Sequence, residues 1–299
     1  MAPGRVVTGS AGGAVEHHTA RLRGERVHYL RAGSGDPVVL LHGWPQTSAA
    51  WSAILPALAA THTVIAPDLR GLGATSKALD GYDTDNVAAD VHALVQLLDL
   101  GPIHLVGHDW GGAVAYSYAA QHRDGVRTLS VLEMVLPGFG LMEQAMIPQP
   151  HGGFLWHMGF QSVPGVAESL MSGREALYLN NMFQLYAYDP DAVRPDRMQH
   201  YVDAMQQVGA LSAGLGYYRD YFVSAEQNRE HGKEKLTVPV LALGGEACLG
   251  DLPRQCLEMA ADDVVGGVIE RCGHWIGEER PDHVAERLLA FFAGGGGSR

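Results

Sequence analysis

A glycine-bracketed turn follows a buried apolar run near the middle of the 299-residue chain. The run Ile103-His104-Leu105-Val106 leads into Gly107-His108-Asp109-Trp110-Gly111, and a helix-like segment of small residues comes next. This order predicts a sharp turn between a buried strand and a helix, with Asp109 at its apex. A carboxylate held there is suited to attack an electrophilic sp³ carbon, such as an epoxide or carbon–halogen carbon, and to form an alkyl ester.

The composition excludes several classes of protein. Apolar residues make up 46% of the chain and charged residues 18%, which is typical of a globular domain. The formal net charge of −12, without a run of Lys or Arg, argues against a partner that is a nucleic acid or a membrane surface. We find no secretory signal and no segment near the ~18 apolar residues of a membrane span. Cys248, Cys256 and Cys272 lack paired spacing, which predicts reduced thiols and a cytoplasmic location.

Strand and helix signals alternate through the first half of the chain. Buried strands are predicted at residues 37–42, 62–66, 103–107 and 126–132, after an early antiparallel strand at 26–30. Helical periodicity lies between them, and this alternation predicts a mostly parallel sheet with helices on both faces. Two more strands are expected at 239–243 and 264–270, before a closing helix from about 281 to 292.

The alternation stops after Pro137, where the composition turns to Met, Tyr, Trp and Phe. Helix-like windows at 165–172 and 195–208 are separated by no β-run. We therefore predict a helical cap at residues 137–230, inserted between the two parts of a core, residues 1–136 and 231–299. The Gly-rich end of the chain, from Gly294 to Arg299, is predicted to be flexible.

Four short motifs together resemble the α/β-hydrolase fold and, within it, the epoxide hydrolases. They are His42-Gly43-Trp44-Pro45, Asp68-Leu69-Arg70-Gly71-Leu72-Gly73, Gly107-His108-Asp109-Trp110-Gly111-Gly112 and Cys272-Gly273-His274-Trp275. The resemblance covers about residues 25 to 292 and implies a mostly parallel eight-stranded sheet, helices on both faces and an inserted helical cap. It extends to a Cif-like branch, in which a His and a Tyr open the epoxide ring.

The general base and its acid follow from this resemblance. His274 comes after the last predicted strand, where the fold places a catalytic histidine, and a near-neutral pKa suits the activation of water. The acid that orients it has two candidate places. In the turn after the penultimate strand, Cys248 stands where related enzymes have an aspartate. Glu133 ends the strand that follows Asp109, and a buried carboxylate there needs a partner. We predict Glu133 as the acid, with Asp251 or Glu246 as alternatives.

Two hydrogen-bond donors from the cap are expected to open the ring, because an alkoxide is a poor leaving group. Tyr218 precedes Arg219 in a Tyr-Arg pair similar to that of epoxide hydrolases. His157 follows Trp156 as in the Cif-like branch. Other cap tyrosines keep the assignment of the donors open: Tyr178, Tyr186, Tyr188, Tyr201 and Tyr221.

The remaining roles concern the oxyanion and the substrate. The backbone N–H groups of Trp44 and Trp110 are expected to hold the oxyanion formed during ester hydrolysis. The side chains of Trp110 and Trp156 are expected to contact the substrate. Further residues that indicate an apolar pocket are Trp51, Phe154, Phe160, Met182 and Phe183. The mechanism needs no metal and no organic cofactor.

Alternative functions share part of this constellation. A dehalogenase would also use Asp109, Trp110 and His274. However, haloalkane dehalogenases usually have an asparagine where Trp44 stands, and fluoroacetate dehalogenases have arginines at the places of Trp110 and Ala113. We therefore favour an epoxide hydrolase acting on a small-molecule epoxide and water, with a dehalogenase second. A non-catalytic small-molecule-binding homologue is the third hypothesis. A homodimer stays open as a further partner.

Overall fold

The computed structural model describes residues 6–7, 14–148 and 155–294, so Phe154 and the chain end after Gly294 lie outside the described residues. One mixed sheet runs through the molecule, and its nine described strands are ordered β1-β2-β3-β5-β4-β6-β7-β8-β9. The strands are β1 Val6–Val7, β2 Val15–Leu22, β3 Glu25–Ala32, β4 Asp36–Leu41, β5 His62–Pro67, β6 Ile103–His108, β7 Val126–Leu132, β8 Val240–Gly245 and β9 Val264–Ile269.

The sheet is antiparallel at one edge and parallel elsewhere. Strands β1, β2 and β3 pair antiparallel, as do β3 and β5, whereas β5, β4, β6, β7, β8 and β9 pair parallel with their neighbours. The predicted mostly parallel sheet is confirmed. The observed sheet has one strand more than the predicted eight because two residues of β1 extend its edge. The apolar pattern missed β2, in which Leu22 is the only buried side chain.

Thirteen helices are found in the described residues. They are α1 Leu55–Ala59, α2 Thr84–Leu97, α3 Trp110–Gln121, α4 Leu141–Ala145, α5 Trp156–Ser162, α6 Val166–Met171, α7 Glu175–Tyr186, α8 Pro195–Met205, α9 Ala210–Arg219, α10 Tyr221–His231, α11 Leu252–Ala260, α12 Ile276–Glu279 and α13 Pro281–Phe292. Short 3₁₀ turns are formed by Ser48–Trp51 and Arg123–Gly125. In these described ranges, no helix has the length and apolar character needed to cross a membrane.

Alternate residues of the central strands pack into two separate hydrophobic cores, one on each face of the sheet. Val38 and Leu40 of β4 pack with side chains of α1 and α13 on one face of the sheet. Val39 and Leu41 pack on the other face with α2, α3 and α11. Successive side chains of a strand point to opposite faces, so a strand that is apolar at every position must be covered twice. The expected helices on both faces are confirmed by this arrangement.

Helices α4 to α10 lie between β7 and β8 and pack over the ends of the parallel strands. Several hydrogen bonds join this helical segment to the rest of the chain. The Tyr217 hydroxyl donates to the Arg70 carbonyl oxygen over 2.9 Å, and the Trp275 indole donates to the Phe183 carbonyl oxygen over 2.9 Å. The helices therefore form a roof, bonded to the rest of the chain, over the carboxyl ends of β6, β7 and β8.

A buried histidine of the sheet makes stability depend on pH. His104 of β6 is 5% exposed, and its Nδ1 atom lies 2.8 Å from the Thr128 hydroxyl oxygen. Burial, with the nearby charges of His62 and Arg127, lowers the pKa of His104 to about 4. An unfolded histidine has a pKa of about 6.5. As the pH falls from about 6.5 to about 4, the unfolded chain gains a proton that the folded chain lacks, so the folded state loses stability.

We expect His104→Gln to reduce this pH dependence, because glutamine can keep a hydrogen bond to Thr128 but does not titrate. The measurement is the free energy of unfolding by urea at several values between about pH 7 and about pH 4.5. The wild type should lose more stability than the variant across that window. Equal slopes for the two proteins would show that His104 is not a source of the pH dependence.

Candidate active site

Asp109 stands at the apex of the turn between β6 and α3. Its φ angle is 51°, in a region that non-glycine residues seldom adopt. A Cβ atom at Gly107 would lie 2.2 Å from the Gly111 carbonyl oxygen, and one at Gly111 would lie 2.3 Å from the Leu41 carbonyl oxygen. The two glycines are needed because the backbone folds back on itself and on β4. The turn thus places the Asp109 carboxylate above the end of the parallel strands.

The two oxygens of the Asp109 carboxylate have different surroundings. Oδ1 accepts the Trp44 backbone N–H over 2.8 Å, and the Trp110 backbone N–H helps to stabilise the charge of the carboxylate. Oδ2 lies 3.5 Å from His274 Nε2. Burial raises the pKa of Asp109, but the hydrogen bonds from His274 and the Trp110 amide outweigh it and leave the pKa below its usual value. Asp109 is therefore an anion at neutral pH, with one oxygen held by backbone amides.

His274 is oriented by Glu133 on the side away from Asp109. His274 Nδ1 lies 3.1 Å from Glu133 Oε2, and the Glu133 side chain is completely buried. The other oxygen, Oε1, accepts the backbone N–H groups of Gly245 at 2.5 Å and Leu249 at 3.2 Å. A buried carboxylate needs such partners to stay ionised. Of the acids considered from the sequence, Glu133 is the one that contacts His274.

The two alternative acids bond elsewhere. Glu246 Oε2 accepts the backbone N–H of Arg271 over 2.9 Å. Asp251 forms an ion pair with Arg254 at 2.5 Å. Cys248, at the position where related enzymes have an aspartate, lines the same cavity as His274, and burial raises the pKa of its thiol to about 12.

Tyr218 of α9 faces Asp109 from the helical roof. Its ring packs edge-on against Trp44 and Trp110, with ring centroids 5.5 Å apart in both pairs. Burial, together with the negative charge of Asp109, raises the pKa of Tyr218 well above its ordinary value. The Tyr218 phenol is therefore protonated and can donate a hydrogen bond.

His157 of α5 lies beside Tyr218, with ring centroids 6.0 Å apart. Burial lowers the pKa of His157 to about 4, so its imidazole is neutral at physiological pH. A neutral imidazole carries one N–H, and the partner of the other nitrogen decides which nitrogen keeps the proton. The structure thus brings both expected ring-opening donors to the roof of the cavity above Asp109.

Tyr186 of α7 is a member of this group that the sequence did not single out. Its hydroxyl lies 2.9 Å from His157 Nδ1, and its carbonyl oxygen accepts the His274 backbone N–H over 2.7 Å. Burial raises the pKa of Tyr186 to about 12, so the phenol is protonated. Among the seven tyrosines of residues 137–230, no local motif marks Tyr186. Its position depends on how α5 and α7 pack, which the sequence pattern does not give.

These side chains line a mostly apolar cavity with about 550 Å³ of space not filled by atoms. Its lining is Trp44, Asp109, Trp110, Glu133, Met134, Met142, Leu155, His157, Met158, Met182, Tyr186, Tyr218, Cys248, Leu249, His274 and Trp275. Trp110, which was expected to contact the substrate, and Met182, one of the residues that indicated an apolar pocket, belong to this set. Trp156, Trp51, Phe160 and Phe183 do not. The Trp156 ring is instead 37% exposed and packs on Phe160 and Tyr178, because it lies on the outer side of α5.

Comparison with known proteins agrees with this geometry. The profile of the α/β-hydrolase fold matches residues 36–281. The chain belongs to the α/β-hydrolase fold family. The soluble epoxide hydrolase of Corynebacterium sp. (strain C12) is 39% identical over 282 residues, which cover 93% of this chain and 98% of that protein.

Two further relatives of this α/β-hydrolase differ in their named activity. The crystal structure of the Cif epoxide hydrolase from Acinetobacter nosocomialis superposes with a TM-score of 0.88 at 26% identity, over 95% of this chain and 90% of that chain. The fluoroacetate dehalogenase of a Burkholderia species is 29% identical over 230 residues, 75% of each chain. The side chains around Asp109 must therefore distinguish the two chemistries.

Proposed function

We propose that the protein is an epoxide hydrolase that converts a small epoxide to a vicinal diol. The observation that carries the proposal is that Tyr218 and His157 line the same cavity as Asp109 and His274. A nucleophile below and two neutral hydrogen-bond donors above are what the opening of an epoxide ring requires. The 39% identity to a soluble epoxide hydrolase supports the same assignment.

In the first step, Asp109 Oδ2 attacks a carbon of the epoxide ring and the carbon–oxygen bond breaks. Oδ1 stays bonded to the Trp44 amide, which leaves Oδ2 as the oxygen that faces the open cavity. Tyr218 and His157 donate hydrogen bonds to the ring oxygen, and one of these two donors transfers its proton to that oxygen, which becomes a hydroxyl. The product of this step is an alkyl ester of Asp109.

Formation of the ester also prepares the base for the second step. Burial disfavours the charged form of His274, but its hydrogen bonds to Asp109, Cys248 and Glu133 hold its pKa well above the ordinary value. The ester carries no charge, so His274 loses its contact with the Asp109 anion, its pKa falls, and its proton passes to the donor that protonated the ring oxygen. Neutral His274 then accepts a proton from water through Nε2.

The activated water attacks the ester carbonyl carbon of Asp109. The oxyanion that forms lies where Oδ1 was, against the amides of Trp44 and Trp110. Glu133 stabilises the His274 imidazolium during this step. Collapse of the oxyanion releases the diol and restores the Asp109 carboxylate.

The donor groups around Asp109 favour an epoxide over a halide. The Trp44 indole N–H has no hydrogen-bond partner in the described part of the chain, but a Cβ at Gly214 would lie 3.0 Å from Trp44 Nε1, so this N–H faces α9. The Trp110 ring packs edge-on against Tyr218, with ring centroids 5.5 Å apart. Ala113, where a fluoroacetate dehalogenase has an arginine, is completely buried. A phenol and a neutral imidazole thus face Asp109 as donors for an epoxide oxygen, and neither Trp110 nor Ala113 supplies the cation that would hold a halogenated carboxylate.

We place the reaction in the cytoplasm, as expected from the sequence. Cys248, Cys256 and Cys272 are all free thiols, which is typical of a protein in a reducing compartment. An epoxide and water are the only partners that the reaction needs. A homodimer remains an expectation from the sequence.

The covalent ester is the decisive test. We expect His274→Gln to form the Asp109 ester and to hydrolyse it slowly, so that intact protein exposed to a small terminal epoxide gains the whole epoxide mass. Peptide mapping should locate the gain at Asp109, and the double variant with Asp109→Asn should gain nothing. A matched haloalkane is the comparison. A mass gain from the haloalkane alone, with halide release, would establish a dehalogenase instead.

An absence of both adducts would also be decisive. With an active wild type, it would show that Asp109 is not the nucleophile. With an inactive wild type that binds epoxides, it would favour the non-catalytic homologue.

Replacement of the orienting acid should separate Glu133 from the two alternatives. We expect Glu133→Gln to lower kcat about 100-fold or more, because the amide cannot stabilise the His274 imidazolium. Glu246→Gln and Asp251→Asn are the matched controls and should stay within about twofold of the wild type, since their partners lie outside the cavity. A large loss in either control, with little loss in Glu133→Gln, would reassign the acid.

Tyr186 has a proposed role as a positioning residue for His157. A protonated Tyr186 that donates to Nδ1 leaves the His157 proton on Nε2. That tautomer can donate from Nε2 to the epoxide oxygen. Tyr186 thus fixes the proton of a neighbouring donor rather than touching the reacting atoms.

We expect Tyr186→Phe to slow ester formation about tenfold, the value of one hydrogen bond of about 1.4 kcal/mol. The rate of ester formation is measured by rapid quench and mass spectrometry in the His274→Gln background. Hydrolysis of the ester should change less, because it does not use His157. Tyr188→Phe is the control, since Tyr188 is 48% exposed and outside the cavity. An unchanged rate of ester formation would remove Tyr186 from the mechanism.

A further inference from the structure

Three side chains that could ligate a metal ion lie close together, and one of them is the proposed general base. Ligand atoms of Glu133, Cys248 and His274 all lie within 4.8 Å of one another. All three residues line the cavity, so an ion could reach them from the substrate side. Within this group, His274 Nδ1 and Glu133 Oε2 are 3.1 Å apart, and Cys248 Sγ lies within 4.8 Å of both ligands. The described residues contain no second group of this kind.

The chemistry of the three side chains selects the type of ion. A thiolate, an imidazole and a carboxylate are the usual ligands of zinc, at about 2.0 to 2.3 Å from the metal. Magnesium and calcium prefer oxygen ligands throughout, so they fit this group poorly. Tetrahedral ligands at those bond lengths lie about 3.5 Å apart, close to the 3.1 Å between His274 Nδ1 and Glu133 Oε2 and within the 4.8 Å that spans all three ligand atoms. Water in the cavity would supply the fourth ligand.

We propose that Glu133, Cys248 and His274 form a binding site for one thiophilic divalent cation, such as Zn²⁺, and that the bound cation stops the enzyme after ester formation. The ligand atom of His274 is Nδ1, because this nitrogen faces Glu133 at 3.1 Å. The ion replaces the Nδ1 proton and the Cys248 thiol proton, which are released to solvent. The two positive charges of the ion are then balanced by the Glu133 carboxylate and the Cys248 thiolate.

Metal binding at Nδ1 removes the base function of His274. The imidazole must keep its remaining proton on Nε2, the nitrogen that lies 3.5 Å from Asp109 Oδ2. A protonated Nε2 cannot accept a proton from water, so the ester is not hydrolysed. Asp109 is not a ligand and can still attack an epoxide once. This second part rests on the proposed function, whereas metal binding itself does not.

The first experiment tests the site without any substrate. Chelator-treated wild-type protein is titrated with Cd²⁺, and the ultraviolet charge-transfer band of a cadmium–thiolate bond is measured. We expect the band to saturate at about one Cd²⁺ per chain and to be lost in Cys248→Ala. Cys256→Ala is the matched control, because Cys256 is buried in the core and should not affect the band. A competition titration with Zn²⁺ should show about 10- to 100-fold weaker binding by Cys248→Ala.

An unchanged band in Cys248→Ala, or loss of the band in Cys256→Ala alone, would overturn the site. So would equal Zn²⁺ affinity in the wild type and Cys248→Ala. Because no epoxide is present, these outcomes hold even where Asp109 proves not to be the nucleophile.

The second experiment tests the arrest. Wild-type protein is loaded with Zn²⁺ and mixed with a small terminal epoxide, and the intact mass is followed. We expect the Asp109 ester to accumulate and to disappear when a chelator is added. Cys248→Ala should show no Zn²⁺-dependent ester. The turnover rate of this variant with Zn²⁺ is compared only with the turnover rate of the same variant without metal. Continued turnover of the Zn²⁺-loaded wild type without ester would overturn the arrest. If metal-free His274→Gln also fails to accumulate the ester, the result contradicts the proposed function instead.

Discussion

The burial of the Glu133 carboxylate ties together the parts of the chain that build the site. Glu133 ends β7, takes two backbone N–H groups from the turn after β8, and bonds to His274 in the loop after β9. An unpaired charge at a completely buried position would destabilise the fold by about 3–5 kcal/mol, so the three segments must meet. The orientation of His274, the proposed general base, is therefore a consequence of pairing one buried charge.

The turn that carries Asp109 obeys a second constraint of the same kind. The glycines at either side allow backbone contacts that a Cβ would forbid. The resulting position exposes the carboxylate to two backbone amides and to His274, which together hold its charge. Because Asp109 and His274 stabilise each other's charged forms, conversion of Asp109 to a neutral ester changes the proton affinity of His274. In the proposed mechanism, the nucleophile and the base therefore act in sequence.

The sequence predicted those parts of the molecule that depend on local pattern. Apolar runs located the parallel strands, and glycine spacing located the turn at Asp109, because both are fixed by steric rules over a few residues. It predicted the contact between Glu133 and His274 only from the resemblance and from the need to pair a buried acid. Strand β2 was missed because its side chains are mostly exposed.

The helical roof shows where prediction from pattern ended. Trp156 and His157 are neighbours in the chain, and both were expected at the substrate. On a helix, adjacent residues point about 100° apart, so one of them faces the cavity and the other faces outward. The sequence pattern did not identify Tyr186, because its contacts are with His157 and His274, which are 29 and 88 positions away in the chain. Such contacts arise from the packing of α5, α7 and the loop after β9.

The position of the acid has a consequence for Cys248. With the carboxylate supplied from β7, the turn after β8 no longer needs an aspartate to orient His274. A thiol at that place neither competes for the His274 proton nor adds a second negative charge beside Glu133, because burial and the neighbouring carboxylate raise its pKa to about 12. A divalent cation reverses that preference, since coordination deprotonates a thiol. The arrangement that keeps the Cys248 thiol protonated in the proposed reaction is thus the one that offers a soft metal ion three ligands, of which His274 is one.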